Sequence, residues 1–211
     1  MSRTTCTCSS SVSSFYRYPR AFDLLRERVI PELASQRESL RVWSAGCGKG
    51  EEAYTLALLL EEAEVSGRVE ATDLDEKALA LARKGLYRHS STKMLPEDLY
   101  RSYLQPVSSN GKTRLSPTAE TRRRVRFSKG DLTSSNPAPG GGEFDLVLCR
   151  NVLIYLGREA QESMLQALAR SVRPGGYLCL GEAEWLVTAE DLFEIVDSAA
   201  RIFRRGSHEQ E

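Results

Sequence analysis

Val42-Trp43-Ser44-Ala45-Gly46-Cys47-Gly48-Lys49-Gly50-Glu51-Glu52 sets three glycines at alternate positions between an apolar, strand-like run and the helix-like stretch AYTLALLLEEA of residues 53–63. A backbone this bare serves either a tight turn or the close approach of something to the main chain, because glycine permits both. In an open parallel sheet, ligands bind beyond the carboxyl ends of the strands where the strand order reverses, and a turn after the first strand lies there. The spacing Gly46-x-Gly48-x-Gly50 departs from the G-x-G-x-x-G of dinucleotide folds, and Glu51 and Glu52 follow it at once. Two carboxylates in a first helical turn suit the helix dipole, yet they repel a pyrophosphate at the same place. A cationic nucleoside is the better match, and S-adenosylmethionine (SAM) carries both a sulfonium and an ammonium.

Outward from that turn, strand and helix signals alternate. LRVWSA reads as a strand and Glu51–Ala63 as a helix, with Ala53, Leu56, Ala57 and Leu60 on one face. RVEATDLD is a second strand and Glu76–Arg83 a second helix. RVRFSKGDL, FDLVLCRNVLIY and GYLCLGEAE give three more strands, a helix Arg158–Val172 lies between the last two, and FEIVDSAARIFRR reads as two short closing strands. Before them, a helical pattern starts at Phe15 and carries Phe22, Leu25, Val29 and Leu33. This alternation predicts an α/β fold with a mostly parallel seven-stranded sheet, and the run Leu146-Val147-Leu148 suits a central strand covered on both faces. The second strand ends in Asp73 and Asp75, ~25 residues beyond the glycines, where a carboxylate can accept hydrogen bonds from both ribose hydroxyls. Asp75, just before Glu76 and Lys77, also reads as a helix cap.

The remaining segments divide the chain. Residues 1–12 read as a flexible tail, 13–206 as the cofactor-binding domain and 207–211 as a C-terminal tail. Within the domain, residues 86–121 exceed a crossover loop and carry an Asn110-Gly111 turn, which predicts an inserted helix and hairpin. Arg122-Arg123-Arg124 with Arg126 reads as a solvated hairpin edge or as a dock for an acidic partner. The 211 residues hold 29 Lys+Arg and 29 Asp+Glu, so no global field points to nucleic acid or to a membrane surface. No apolar stretch is long enough to span a bilayer, and a cytoplasmic location is the expectation. Of five cysteines, Cys47, Cys149 and Cys179 fall at apparent strand ends as buried thiols, and Cys6-x-Cys8 lacks a second ligand pair, so no metal site is expected.

Several blocks together resemble the chemotaxis receptor methyltransferases, the CheR family of SAM-dependent protein-glutamate O-methyltransferases. They are SSFYRYPRAFDLLRERVIPEL, LRVWSAGCGKGEEAYTLALLL, ATDLDEKALALARKGLYR, FDLVLCRNVLIYL and VRPGGYLCLGEAE. The resemblance implies a Rossmann-like class I methyltransferase fold with SAM as cofactor. It implies further that Ser13 and Arg17, in a T-x-F-F-R-like motif with Tyr16, contact the methionine end and cover the active site. Ala45, Gly46 and Gly48 belong to the glycine turn, Glu52 matches an acidic cofactor-binding residue and Asp73 the ribose ligand. Asp131-Leu132 replaces an Asn-Leu pair beside the adenine, Arg150-Asn151-Val152 matches a post-strand motif near the cofactor, and Tyr155 matches a tyrosine that orients the reaction. Two purely structural readings stay open, Tyr155 packing under the next helix and Asn151 capping it. The chain departs from the family pattern in two ways. A short tail stands where a helical N-terminal domain is usual, so the chain reads as a truncated member, and Gly181-Glu182-Ala183-Glu184-Trp185 stands where the family has G-H-S-E-N.

Methyl transfer is an in-line displacement at a sulfonium methyl, with the nucleophile about 3 Å away and water excluded. A carboxylate is already ionised at neutral pH and needs no general base; His89 in the insertion and His208 in the tail are then bystanders. Phe15, Tyr16 and Tyr155 are expected as an aromatic wall against the sulfonium, Phe15 alternatively as a hydrophobic plug, and Arg17 as a two-point grip on a carboxylate. The leading expectation is thus a methyltransferase acting on a carboxylate-bearing or otherwise nucleophilic protein or small molecule, with Arg17, Tyr155 and Tyr16 as catalytic residues. One alternative is a cyclase of secondary metabolism, in which the amine of SAM displaces methylthioadenosine to form azetidine-2-carboxylate without an acceptor. The other is a non-catalytic SAM-binding module.

Overall fold

The computed structural model describes residues 13–109, 111–186 and 190–206. The expected tails with Cys6, Cys8 and His208, and Asn110 of the expected turn, lie outside them. A helical run opens the chain as α1 (Pro19–Leu24), a π-type turn (Leu25–Val29) and α2 (Ile30–Gln36). β1 (Ser39–Ala45) passes through the glycine turn into α3 (Glu51–Glu62), and β2 (Ser66–Asp73) into α4 (Glu76–Lys84). Next come α5 (Glu97–Tyr103), the antiparallel pair β3 (Leu104–Ser109) and β4 (Lys112–Pro117), and the short α6 (Ala119–Arg123). β5 (Val125–Lys129), β6 (Phe144–Cys149), α7 (Arg158–Ser171), β7 (Val172–Leu180), β8 (Phe193–Asp197) and β9 (Ile202–Arg205) complete the order.

The main sheet runs β5-β2-β1-β6-β7-β9-β8, with β9 antiparallel to both neighbours and the pairings among β5, β2, β1, β6 and β7 all parallel. This is the seven-stranded, mostly parallel sheet that the sequence predicts. Alternation along each strand feeds two cores. Val42, Leu146 and Leu148 face the layer of α1, α2 and α3, whereas Trp43, Ala45 and Val147 face α7 through Leu165 and Leu168. β6 is buried at every position, as a central strand covered on both faces must be. The strand order reverses between β1 and β6, which puts the turn after β1 at the switch point.

Three boundaries differ from the sequence reading. Phe15 and Tyr16 form a turn, and the first helix begins only at Pro19, whose fixed φ suits a helix start. The β6 strand stops at Cys149 because Asn151 takes a left-handed φ of 61° and a short 3₁₀ turn, Leu153–Tyr155, follows. The arginine run is no hairpin edge: Arg122 and Arg123 close α6, Arg122 donates to the Arg83 carbonyl and Arg124 to that of Val65. The guanidinium groups of Arg122 and Arg124 thus satisfy carbonyls at or just past the ends of α4 and α3. Among the described residues, no helix is long and apolar enough to cross a membrane, and no cluster of acidic, histidine or cysteine side chains is placed to hold a metal.

Candidate cofactor and active site

The three glycines divide the two uses that a bare turn allows. At Gly46, φ is +80° and a Cβ would stand 2.5 Å from a Val152 methyl; at Gly50 it would crowd Ala82, Phe127 and the Tyr87 hydroxyl at about 3 Å. Gly50 is a packing glycine, whereas Gly46 is held by packing and also lines the cavity, as expected of it. Gly48, φ +54°, has no atom within 4 Å of where a Cβ would point, and it lines a cavity of about 560 Å³ over the carboxyl ends of β1, β2 and β6. That volume lies within the range for small-molecule sites. Tyr87 supports the turn from the far side by donating to the Lys49 carbonyl (2.7 Å).

Asp73, at the end of β2, uses one oxygen to accept from the Gly48 N–H (2.7 Å) and the other to accept from the Asp75 N–H (2.8 Å). The carboxylate is thereby fixed at the cavity wall, and each oxygen retains a lone pair for a diol. Asp75 caps α4 by accepting from Lys77 N–H (2.8 Å), as its position before the helix predicts. Glu52 faces the cavity, accepts from the Ser44 hydroxyl (2.7 Å) and lies 3.6 Å from the Arg150 guanidinium. Burial pushes its carboxyl above the usual glutamate range, against the opposing pull of Arg150 and Ser44. Glu51 does not share this role. It is buried and accepts from the Ser13 hydroxyl (2.8 Å), so only one of the two helix-start carboxylates confronts a ligand.

The wall also includes Ser13, Arg17, Asp131, Leu132, Arg150, Asn151, Val152 and Tyr155. Asp131 sits at the rim, one oxygen accepting from the Thr133 N–H (2.9 Å) and hydroxyl (2.6 Å). Arg150 donates to the Arg17 carbonyl (2.8 Å), tying the N-terminal segment to the loop after β6. Tyr155 is 45% exposed, so it does not pack under the next helix, and no side chain caps that helix. Asn151 is therefore not its cap.

Three expectations need correction. Tyr16 is only 1% exposed and is turned into the core, where its ring lies against Phe22, its hydroxyl donates to Asp23 (2.8 Å) and burial pushes its pKa up. Its backbone strain, φ 55°, serves to turn the chain. Phe15 is the hydrophobic plug, fully buried edge-on against Tyr87, so of the expected aromatic wall only Tyr155 reaches the cavity. Ala45 is fully buried, its side chain in the α7-facing core rather than on the wall.

Sequence reasoning missed Glu184. Its buried carboxylate accepts from four backbone N–H groups, those of Val152 and Leu153 (2.8 Å each), Asn151 (3.1 Å) and Gly181 (2.7 Å). The available signal was an acid three residues after a glycine at a strand end. Leu74 was missed as well: it is 51% exposed, on the cavity wall beside Asp73.

The donor set fits SAM. Carboxylates outnumber cations on the wall, with Glu52, Asp73, Asp75 and Asp131 against Arg17, Lys49 and Arg150, and Gly48 leaves its face of the main chain open. Comparison with known proteins agrees. The CheR methyltransferase SAM-binding domain model matches residues 11–202. An uncharacterized 104.1 kDa protein of Rhodobacter capsulatus is 38% identical over 92% of this chain, which spans 20% of that protein's length. Chemotaxis protein methyltransferase 1 of Pseudomonas aeruginosa is 33% identical, covering 90% of this chain and 72% of its own. The solved magnesium protoporphyrin IX methyltransferase of Synechocystis with bound SAM has the same fold, with a TM-score of 0.51 and 20% identity over 90% of this chain and 80% of that one. S-adenosylmethionine is the cofactor of this Rossmann-like class I methyltransferase fold. The chain belongs to the CheR methyltransferase family, as its SAM-binding domain.

Proposed function

We propose that the chain is a CheR-type methyltransferase that transfers the methyl group of SAM to a carboxylate, or a comparable nucleophile, on a protein or small molecule. The observation that carries this reading is Arg17: its guanidinium lines the cavity and donates to the Tyr18 hydroxyl (3.1 Å), and among the described residues no carboxylate lies within ion-pair distance of it. A guanidinium that among the described residues has only a phenol and its ring as neighbours, and no carboxylate in an ion pair with it, is a place for an incoming anion. Bound SAM supplies the electrophilic sulfonium methyl. Glu52, Asp73 and Asn151 bind and orient the nucleoside and its amino-acid end, Arg17 holds the acceptor, and Tyr155 stands at the mouth where water is to be excluded. Among the described residues no histidine lines the cavity, and a carboxylate needs none, which favours it over an acceptor that must first lose a proton. The segment Gly181–Trp185 departs from the family's pattern, so the acceptor is proposed to differ from a standard chemoreceptor.

One incubation tests this. With SAM alone the chain should yield no product, and S-adenosylhomocysteine should appear only when a carboxylate-bearing acceptor is added. Methylthioadenosine formed without acceptor would establish the cyclase instead. Cofactor binding with neither product would leave a binding module.

A further inference from the structure

The loop after β6 carries five wall residues, Arg150, Asn151, Val152, Tyr155 and Leu156, and its own turn bonds, from Tyr155 N–H to the Val152 carbonyl (3.2 Å) and from Leu156 N–H to that of Leu153 (2.9 Å), leave the N–H groups of residues 151–153 unused. Asn151 has φ 61°, a left-handed conformation that asparagine adopts more readily than most residues, and a Val152 methyl approaches Gly46 so closely that no Cβ would fit there. Three consecutive N–H groups, those of Asn151, Val152 and Leu153, point the same way, and without a partner each would be stranded beneath the cavity. The geometry points to Glu184 as the positioning residue of this loop: its single carboxylate collects those three N–H groups and that of Gly181, and so sets the SAM-facing wall from behind.

The β7 end is built to deliver it. A turn closed by the Glu184 N–H donating to the Gly181 carbonyl (2.9 Å) brings the side chain back toward β6. At Gly181 a Cβ would lie 2.6 Å from the Glu184 carboxylate and 3.0 Å from the Asn151 nitrogen, so only a glycine leaves the carboxylate its path. Four donors converge on two oxygens. Glutamine has the same shape but presents an NH₂ to one pair of N–H groups whichever way it is turned, so the requirement is for a carboxylate and not merely for a filled space.

This rests on reading the cavity as the SAM site, and the test separates the two. S-adenosylhomocysteine affinity is measured by calorimetry for the wild-type chain, Glu184→Gln, Glu184→Ala, Gly181→Ala and a remote core variant, Leu33→Ala. Amide hydrogen exchange is followed at residues 151–153 and 181. Both Glu184 variants and Gly181→Ala should weaken binding tenfold or more and speed exchange at those four amides. Leu33→Ala should lower the melting temperature while leaving affinity and those amides unchanged. Wild-type affinity in Glu184→Gln, or unchanged exchange at the four amides, overturns the assignment. A wild-type chain that binds no S-adenosylhomocysteine sinks the cavity reading instead, and the exchange arm still decides whether Glu184 holds the loop.

Discussion

Asp73 and Glu52 do different work on one ligand, and their substitutions should be separable. Asp73 already accepts two backbone N–H groups and offers its remaining lone pairs to a ribose, so Asp73→Ala removes both the ribose partner and the brace on Gly48. Losing charge-assisted hydrogen bonds of about 1.5–3 kcal/mol should weaken SAM by ~10- to 150-fold in calorimetry, and unchanged binding would move the ribose elsewhere. Glu52 adds a pH signature. Burial raises its pKa above the ordinary 4.5, so the folded chain holds that proton more tightly than the unfolded one. Its contribution to stability is therefore present below the ordinary value and is lost as pH rises through the raised one. A cationic cofactor favours the ionised form, so SAM uptake should release protons as pH approaches the raised value from below, with affinity rising alongside. Calorimetry in buffers of different ionisation enthalpy reads the proton count, and Glu52→Gln should abolish the release. Proton uptake on binding would refute the assignment.

At the scale of elements, one side chain of the N-terminal helical run adds a polar tie to both α3 and α5 beside their shared apolar core. Arg26, in the π-type turn, pairs with Glu62 at the end of α3 and with Asp98 in α5. Asp98 is largely exposed and adds little, whereas Glu62 is about one-quarter exposed and would be left unpaired. Arg26→Met should therefore lower unfolding free energy by roughly 1 kcal/mol in urea titration, with SAM affinity unchanged, since neither residue reaches the cavity. A shift in affinity without a shift in stability would show that the insertion senses the site. Strands and long helices were legible because Leu146-Val147-Leu148 and Ala53–Leu60 follow their periods over enough residues to fix type and face. The FYR segment was not, because Phe15 and Tyr16 are apolar at helical spacing and only tertiary contacts, to Ser91 and Thr55, hold them in a turn. Glu184 was illegible for a related reason: three of its four partners lie about thirty residues away, and only the two turned strand ends bring them to it.

The chain is formally neutral, yet two of the cavities among its described residues are not alike. The one above the carboxyl ends of the strands carries four carboxylates and three cations. The other, about 520 Å³ at the opposite end of the sheet, is lined by Arg37, Arg41 and Arg173 with Glu143 and Asp145. Arg173 and Asp145 there are an ion pair, and Asp145 also accepts from the Arg41 N–H (2.6 Å), so this one acid of β6 braces the strand against β1 and β7. The location of the ligand site was legible from the strand order, but the electrostatic argument was only half right, because Glu51 is spent on Ser13 while Asp131 takes its place at the rim. What remains is a wall at the switch point that is net negative when Glu52 is ionised, with α3 starting beneath it. A phosphorylated dinucleotide brings two negative charges to that wall, whereas a sulfonium with an ammonium brings two positive ones and one carboxylate. Ligands that bind only the folded state raise its stability by about 2.7 kcal/mol at a hundred times their dissociation constant. SAM and S-adenosylhomocysteine should accordingly raise the melting temperature by several degrees, and NAD at equal concentration should not. S-adenosylhomocysteine, lacking the sulfonium charge, should shift it less than SAM if the wall's charge contributes. Equal shifts would mean that nucleoside contacts at Asp73 and Leu74 dominate, and a shift with NAD alone would overturn the electrostatic reading of the site.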